Sequence, residues 1–309
     1  AQYQGAFGWD KTTYIPHWDS WKRGMLEWNG QINPLASAIK CCWKVTTVSN
    51  TYMNELKSMS NGLEPLFEYE KGKCSGILNG IDTDVWSPTK DPYLLFHFTS
   101  SSFEEGKMQN KVELCKNFQL DPTLPLFCFI GRLVGEKAAD LLPAAFKHSI
   151  ERHKGKMNVL LLGAGEKFIE DELHHLQHSH GDFFKCTIGY QEALSHAMYA
   201  GADFLLMPSR VEPCGLNQLY AMRFGTIPIV RRVGGLMDTV IDMGENGGYG
   251  ICFNHASVED ISHAIDRAIS LFYDHAAQFN HFRKLVMQFD FSWSKAAQSY
   301  LDLYKTLKK

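Results

Sequence analysis

From residue 124 onward, short apolar runs alternate with stretches of helical periodicity, and this alternation narrows the fold more than any other feature of the chain. In order, the runs are LPLFCFIG (124–131), NVLLLGAG (158–165), FFKCTIGY (183–190), DFLLMPSR (203–210), TIPIVRR (226–232) and GYGICF (248–253). Strands apolar at every position are covered on both faces, the condition of a parallel sheet. Between the first two, EKAADLLPAAFKHSIERHK sets Leu141, Leu142, Ala145 and Ile150 at helical spacing. SVEDISHAIDRAISLF does the same with Val258, Ile261, Ile265, Ala268 and Phe272, and Ser257 stands three residues before Asp260 as an N-cap. Strands and helices in alternation predict a doubly wound α/β domain that binds ligands beyond the carboxyl ends of its strands.

Residues 1–90 read differently, with Trp9, Trp18, Trp21, Trp28, Trp43 and Trp86, a strand-like KVTTVS (44–49), a helix-like TYMNELK and the apolar run SGILNGI (75–81). A second domain is expected there, joined to the first by a linker in the early part of the Pro-containing stretch 87–123. A chain of 309 residues has room for two such cores. A net charge of −3 supplies no field for nucleic acid or acidic membranes. No apolar run reaches the roughly 18 residues of a membrane span. Eight scattered cysteines without a Cys-x-x-Cys pair predict free thiols in a reducing compartment.

Two clusters carry candidate chemistry. Arg132 and Lys137 follow the strand FCFIG and precede the predicted helix, so both cations and the helix N-terminus would face one cleft suited to a diphosphate, or form a solvated pair on a loop. In SRVEPCGLNQLYAMRFG, Pro213 and Gly215 break the chain after DFLLMP, so Glu212 and the amides of Cys214, Gly215 and Leu216 can turn into that cleft. Tyr190 ends the strand CTIGY and would stack on a base or cap the core. GAG at 163–165 lacks the third glycine of the dinucleotide fingerprint, with Phe168 in its place, and is read as a tight turn. Asp82-Thr83-Asp84 has residue types for a divalent ion, but a turn after Asn79-Gly80 uses the same ones, and no metal is assigned. His174, His175, His178 and His180 are read as a solvated helix end.

The run ADFLLMPSRVEPCGLNQLYAMRFGTIPIVRRVGGLMDTV resembles the nucleotide-sugar site of bacterial glycogen synthases and plant starch synthases. YQGAF, EWNGQINPLASAI, KVTTVSNTY, GILNGIDTDVWSP, GRLVGEK, LLGAGE, IGYQEALSHAMYAGAD and FDFSWSKAAQSYLDLY extend the resemblance, in the family's order, over almost the whole chain. It implies a GT-B fold, two Rossmann-like domains facing a cleft, with the N-terminal one incomplete. Residues 1–90 would then be the end of the acceptor-side domain, 91–290 the nucleotide-sugar domain, and 291–309 a helix packing back on the first.

The implied activity is retaining hexosyl transfer from an ADP-glucose donor to the non-reducing end of an α-1,4-glucan acceptor. Arg132 and Lys137 would hold the diphosphate, Glu212 the transferred glucose and Tyr190 the adenine. Asn79, Gly131, Gly189, Cys214, Gly215, Leu216 and Asn217 would complete the nucleotide-sugar site. No second carboxylate stands near Glu212 in the sequence to form the opposed pair of a double displacement, so a same-face substitution is expected, without cofactor or metal. The bacterial cytosol or a plastid is the implied location.

The family's His-Asn motif before YQG and its Lys-Thr-Gly-Gly-Leu loop do not occur in this sequence, and Ala138 stands where the family usually has glycine. The alternatives are a non-catalytic glucan- or nucleotide-binding fragment and a related transferase using UDP-glucose.

Overall fold

The computed structural model describes residues 26–307. The Trp9, Trp18 and Trp21 positions and the YQGAF motif lie outside the described residues. Strands β1 (Glu27–Trp28) and β2 (Gln31–Ile32) form a hairpin over Asn29-Gly30, both at positive φ, as a two-residue turn of this hand requires. Helix α1 (Pro34–Cys41) starts where the Asn33 side chain accepts the Ala36 amide, and Pro34 fits the first turn. Strand β3 (Val45–Thr47), helix α2 (Asn50–Glu55), helix α3 (Glu64–Tyr69) and strand β4 (Cys74–Gly76) follow. β3 pairs with β4 in parallel, and Ala36, Ile39, Met53, Leu63, Leu66 and Phe67 form a small core beside them. Of the run 75–81, only the first residues are strand.

The larger unit begins with α4 (Phe103–Phe118). The strands read from the sequence then appear in register: β5 (Leu126–Ile130), β6 (Asn158–Gly163), β7 (Phe184–Ile188), β8 (Phe204–Met207), β9 (Ile227–Arg231) and β10 (Ile251–Phe253). They form a six-stranded, all-parallel sheet in the order β10-β9-β8-β5-β6-β7. Phe127, Phe129, Val159 and Leu161 enter one hydrophobic cluster, while Leu126, Cys128, Leu160 and Leu162 enter another on the opposite face. This period of two, apolar on both sides, explains the unbroken apolar runs. Between them and after them come α5 (Leu142–Arg152), α6 (Lys167–His180), α7 (Glu192–Gly201), α8 (Asn217–Arg223), α9 (Gly234–Thr239), α10 (Val258–Asp274), α11 (Ala276–Val286) and α12 (Trp293–Lys305). Ser257 caps α10 through the Asp260 amide, a bond worth about 1 kcal/mol.

One expectation needs correction. The helix read over 136–154 starts only at Leu142, after short 3-10 turns at Gly135–Lys137 and Ala139–Leu141. Pro143 lacks an N–H and fits only a helix's first turn, and Ala138 sits at φ 52°, a left-handed conformation that interrupts any helix. Arg132 and Lys137 therefore lie on a loop and not beside a helix N-terminus.

Neighbouring segments meet the larger unit directly. Ser49 donates to the Pro213 carbonyl at 2.6 Å, Glu55 accepts the Gly234 amide at 2.8 Å, and Ile81 donates to Phe291 at 2.8 Å. Asp82 accepts the amides of Asp84 and Val85, which is the turn geometry, and Lys90 pairs with Asp84. His174, His175 and His178 are exposed on α6, and His180 faces Glu151 at 3.4 Å. All eight cysteines are free thiols. No described helix is long and apolar enough to cross a membrane.

Below the sheet, Lys111 and Asp203 form a buried ion pair at 2.6 Å, and the same Asp203 oxygen accepts the Leu126 amide at the start of β5. Burial by itself would raise the Asp203 pKa, but Lys111, Arg283 and these hydrogen bonds outweigh it and hold the carboxyl below its usual range. Replacing Lys111 with Met is expected to lower the unfolding free energy by about 3–5 kcal/mol in urea titrations at neutral pH, because an unpaired carboxylate stays buried. A depressed carboxylate stabilises above its unfolded pKa and loses that contribution as pH falls through its lower folded value. The gap between wild type and Lys111→Met should therefore narrow in that acid range.

Candidate active site

In this strand order successive strands are added one way from β5 and the opposite way from β8, and the crevice beyond the carboxyl ends of these two is where a doubly wound sheet takes ligands. The loop leaving β5 carries Arg132 and Lys137, and the loop leaving β8 carries Ser209, Arg210 and Glu212.

The first loop lies flat against the turn after β6. Gly131 donates to Leu162, Leu133 donates to Ala164 and Glu166 donates back to Leu133, at 3.0, 2.9 and 2.8 Å. A Cβ on Gly163 would overlap the Gly131 carbonyl oxygen, and one on Gly165 would overlap that of Leu133. The GAG segment is thus glycine because the diphosphate-candidate loop passes over its backbone, a close approach only glycine permits.

Arg210 joins the two loops. Its guanidinium grips Asp140 through two bonds at 2.6 and 2.8 Å and the Gly135 carbonyl at 2.7 Å, while its own amide donates to Glu136 at 2.8 Å. The Arg210 guanidinium holds the Asp140 carboxyl below its usual range. Arg231 fixes the clamp from behind, donating to the carbonyls of Ser209 and Arg210 at 2.8 and 2.7 Å.

So held, Lys137 reaches across to Glu212 at 2.6 Å, and Ser209 Oγ donates to the same oxygen, Oε2, at 2.9 Å. Glu212 is 6% exposed, and its Oε1 takes no hydrogen bond from the described residues. Lys137 spends one of three N–H groups on Glu212, leaving two for an anion. Arg132 pairs with Glu136 at 3.1 Å, both side chains 66% exposed, a contact worth about 0–1 kcal/mol that a phosphate can replace.

After Glu212, Pro213 and a left-handed Gly215 (φ 71°) turn the chain, and the amides of Cys214, Gly215 and Leu216 find no acceptor among the described residues. Burial pushes the Cys214 thiol up, against a hydrogen bond from the Asn79 backbone. Asn217 ties the start of α8 to the end of β5, donating to Ile130 at 2.7 Å.

Beside these groups opens a cleft of about 400 Å³, lined by Gly131, Arg132, Gly189, Tyr190 and Asn217 together with Trp86, Tyr199 and Tyr220. Tyr190 is 84% exposed, so it stands at the rim and does not cap the core. Asn79 lines a separate cavity of about 250 Å³ with Asp290 and Lys295. Among the described residues no group of three or more His, Cys, Asp or Glu side chains is placed to hold a metal.

Sequence reasoning missed Ser209, Arg210 and Asp140, although the first two open its own motif. It also missed the aromatic lining by Trp86, Tyr199 and Tyr220, which comes from separate segments and leaves no local pattern.

The signature described as Glycosyl transferases group 1 matches residues 111–281, more than half of the chain, and that of the Starch synthase catalytic domain matches residues 1–69. A glycogen synthase of Flavobacterium johnsoniae is 50% identical over 305 residues, covering 99% of this chain and 64% of the relative. One of Rhodospirillum rubrum is 41% identical, covering 91% of this chain and 58% of the relative. Among solved structures, the catalytic domain of starch synthase IV from Arabidopsis thaliana, bound to ADP and acarbose, superposes with a TM-score of 0.82 at 34% identity. That match covers 91% of this chain and 59% of the other. The chain thus spans less than two thirds of the length of these relatives. It belongs to the group 1 glycosyl transferases, of GT-B fold, and the relatives it is similar to at these identities are glycogen and starch synthases.

Proposed function

We propose that the protein transfers glucose from ADP-glucose to the non-reducing end of an α-1,4-glucan with retention of configuration. The observation that carries this reading is the pair of cations Arg132 and Lys137 on the loop after β5 and the unbonded amides of Cys214–Leu216 on the loop after β8, at the ends of adjacent strands, with Arg132 lining an aromatic cleft. The cleft's volume of about 400 Å³ suits a nucleoside. The adenine lies against Tyr190 and the diphosphate at Arg132 and Lys137. Glu212 Oε1 accepts from hydroxyls of the transferred glucose. The relative solved with ADP supports the donor assignment, and the bacterial relatives favour the bacterial cytosol as the working place. On this reading residues 1–90 belong to the acceptor side, 91–290 bind the donor, and 291–309 return to the acceptor side, where α12 lines one cavity with Trp43, Lys44 and Thr46.

As the bond between anomeric carbon and phosphate oxygen breaks, negative charge grows on the leaving diphosphate and positive charge on the sugar. Arg132, Lys137 and the amides meet the first, pre-aligned by the Arg210–Asp140 clamp, so little reorganisation is needed. The acceptor 4-hydroxyl attacks on the face the diphosphate leaves. Glu212, held by Lys137 and Ser209, stays directed at the sugar.

Three outcomes are expected when donor turnover is assayed with a glucan primer in the natural full-length protein. Arg132→Ala or Lys137→Ala should lower turnover at least a hundredfold, corresponding to about 2.7–4 kcal/mol of lost transition-state stabilisation. Near-normal rates would remove the cations from the diphosphate. Glu212→Ala should abolish turnover while circular dichroism stays native. Asp140→Asn, which touches neither Arg132 nor Lys137, should lower kcat roughly tenfold by loosening the clamp, with KM for the donor changed less. Release of UDP in preference to ADP in the same assay would reassign the donor.

A further inference from the structure

The aromatic cleft is not built by the sheet unit alone. Trp86 belongs to the segment that connects the small N-terminal core to the sheet, yet its indole forms part of the cleft wall. Both indole faces are occupied. His196 stacks at 3.9 Å and 12°, and Tyr220 at 3.8 Å and 18°. His196 and Tyr220 therefore lie on opposite sides of the ring, and Tyr199 meets it edge-on at 5.5 Å. What remains for the cleft is the indole edge.

The residues that follow are fastened to the same place. Asp91 and His196 are both fully buried and share a hydrogen bond at 2.5 Å, while His196 Nε2 is buried without a partner. An orphaned buried nitrogen is costly, and the imidazole that bears it is the ring stacked on the indole. His97 donates to the Asp91 carbonyl at 2.8 Å, Asn110 to the Phe96 carbonyl at 2.7 Å, and Phe98 is buried against Gly106. Upstream, the Trp86 amide donates to Asp82, and Ile81 donates to Phe291. The stretch expected to behave as a linker is thus a packed strap with one side chain in the ligand cleft.

We propose that Trp86 is a donor-positioning residue through which occupancy of the cleft and seating of the strap 86–98 are coupled. A base in the cleft contacts a wall that exists only while the strap is docked. Binding therefore favours the docked strap, and the docked strap favours binding by the same factor. This rests on the donor reading above and adds to it a residue outside the sheet unit.

The test is made on the full-length protein with ADP as probe. In hydrogen exchange, saturating ADP should slow the amides of 87–98 by about tenfold or more, although they lie off the diphosphate loops. By calorimetry, Trp86→Leu should raise the ADP Kd about tenfold or more and Trp86→Phe should restore it to within about threefold, since a ring again fills the stack. Unchanged exchange in 87–98 on ADP binding, or an unchanged Kd in Trp86→Leu, overturns the coupling. A wild-type protein that binds no ADP overturns the donor reading instead. The exchange measurement needs no variant, so it decides the matter even if Trp86→Leu does not fold.

Discussion

Everything at the candidate site depends on two strand-end loops being held together across the reversal point of the sheet. A cation from the first loop and a carboxylate from the second meet at 2.6 Å, and that contact persists because Arg210 ties both loops to Asp140. The clamp is made of charge-assisted bonds in bidentate geometry, which restrict orientation as well as distance. A lysine in this position is useful because it has N–H groups to spare. It can steady Glu212 and still face an anion, whereas a single-donor group would have to abandon one for the other.

The scaffold beneath is what makes such an arrangement affordable in a crevice. Six parallel strands, apolar on both faces, fix the positions of their carboxyl ends, so each loop begins from a defined point. Several charged groups inside that scaffold are matched. Lys107, fully buried and driven well below the usual lysine range by that burial, donates to the carbonyls of Tyr199 and Ala200 and to Thr226. Asp242 takes two bonds from Arg267 and the amides of Gly244 and Cys252. At His196 Nε2, one of the buried atoms left without a partner, the structure also departs from a simple two-part division, with the connecting strap built into the cleft wall.

Much of this was legible in the residues. Apolar runs such as LPLFCFIG and NVLLLGAG announced strands within two residues of their ends, because burial on both faces leaves no polar position to blur the pattern. The Ser257 cap was equally plain, since a side chain three positions before an amide can do little else there. The start of α5 was misread because apolar periodicity begins at Leu141, and only Pro143 and the left-handed Ala138 reveal the true boundary. In the site, residues within one motif could be grouped, whereas the pairing of Lys137 with Glu212, 75 positions apart, required the sheet order. The Asp140 to Arg210 bond, 70 positions apart, was invisible for the same reason. Trp86 was hidden further, because its partners His196 and Tyr220 lie on different helices.

The most direct measurement is a crystal structure of the protein with ADP. The account predicts both phosphate groups within hydrogen-bond reach of Arg132, Lys137 and the amides of Gly215 and Leu216, with the base in the aromatic cleft beside Tyr190. ADP bound elsewhere, or bound there with Lys137 still engaged by Glu212 alone and Arg132 by Glu136, would contradict it.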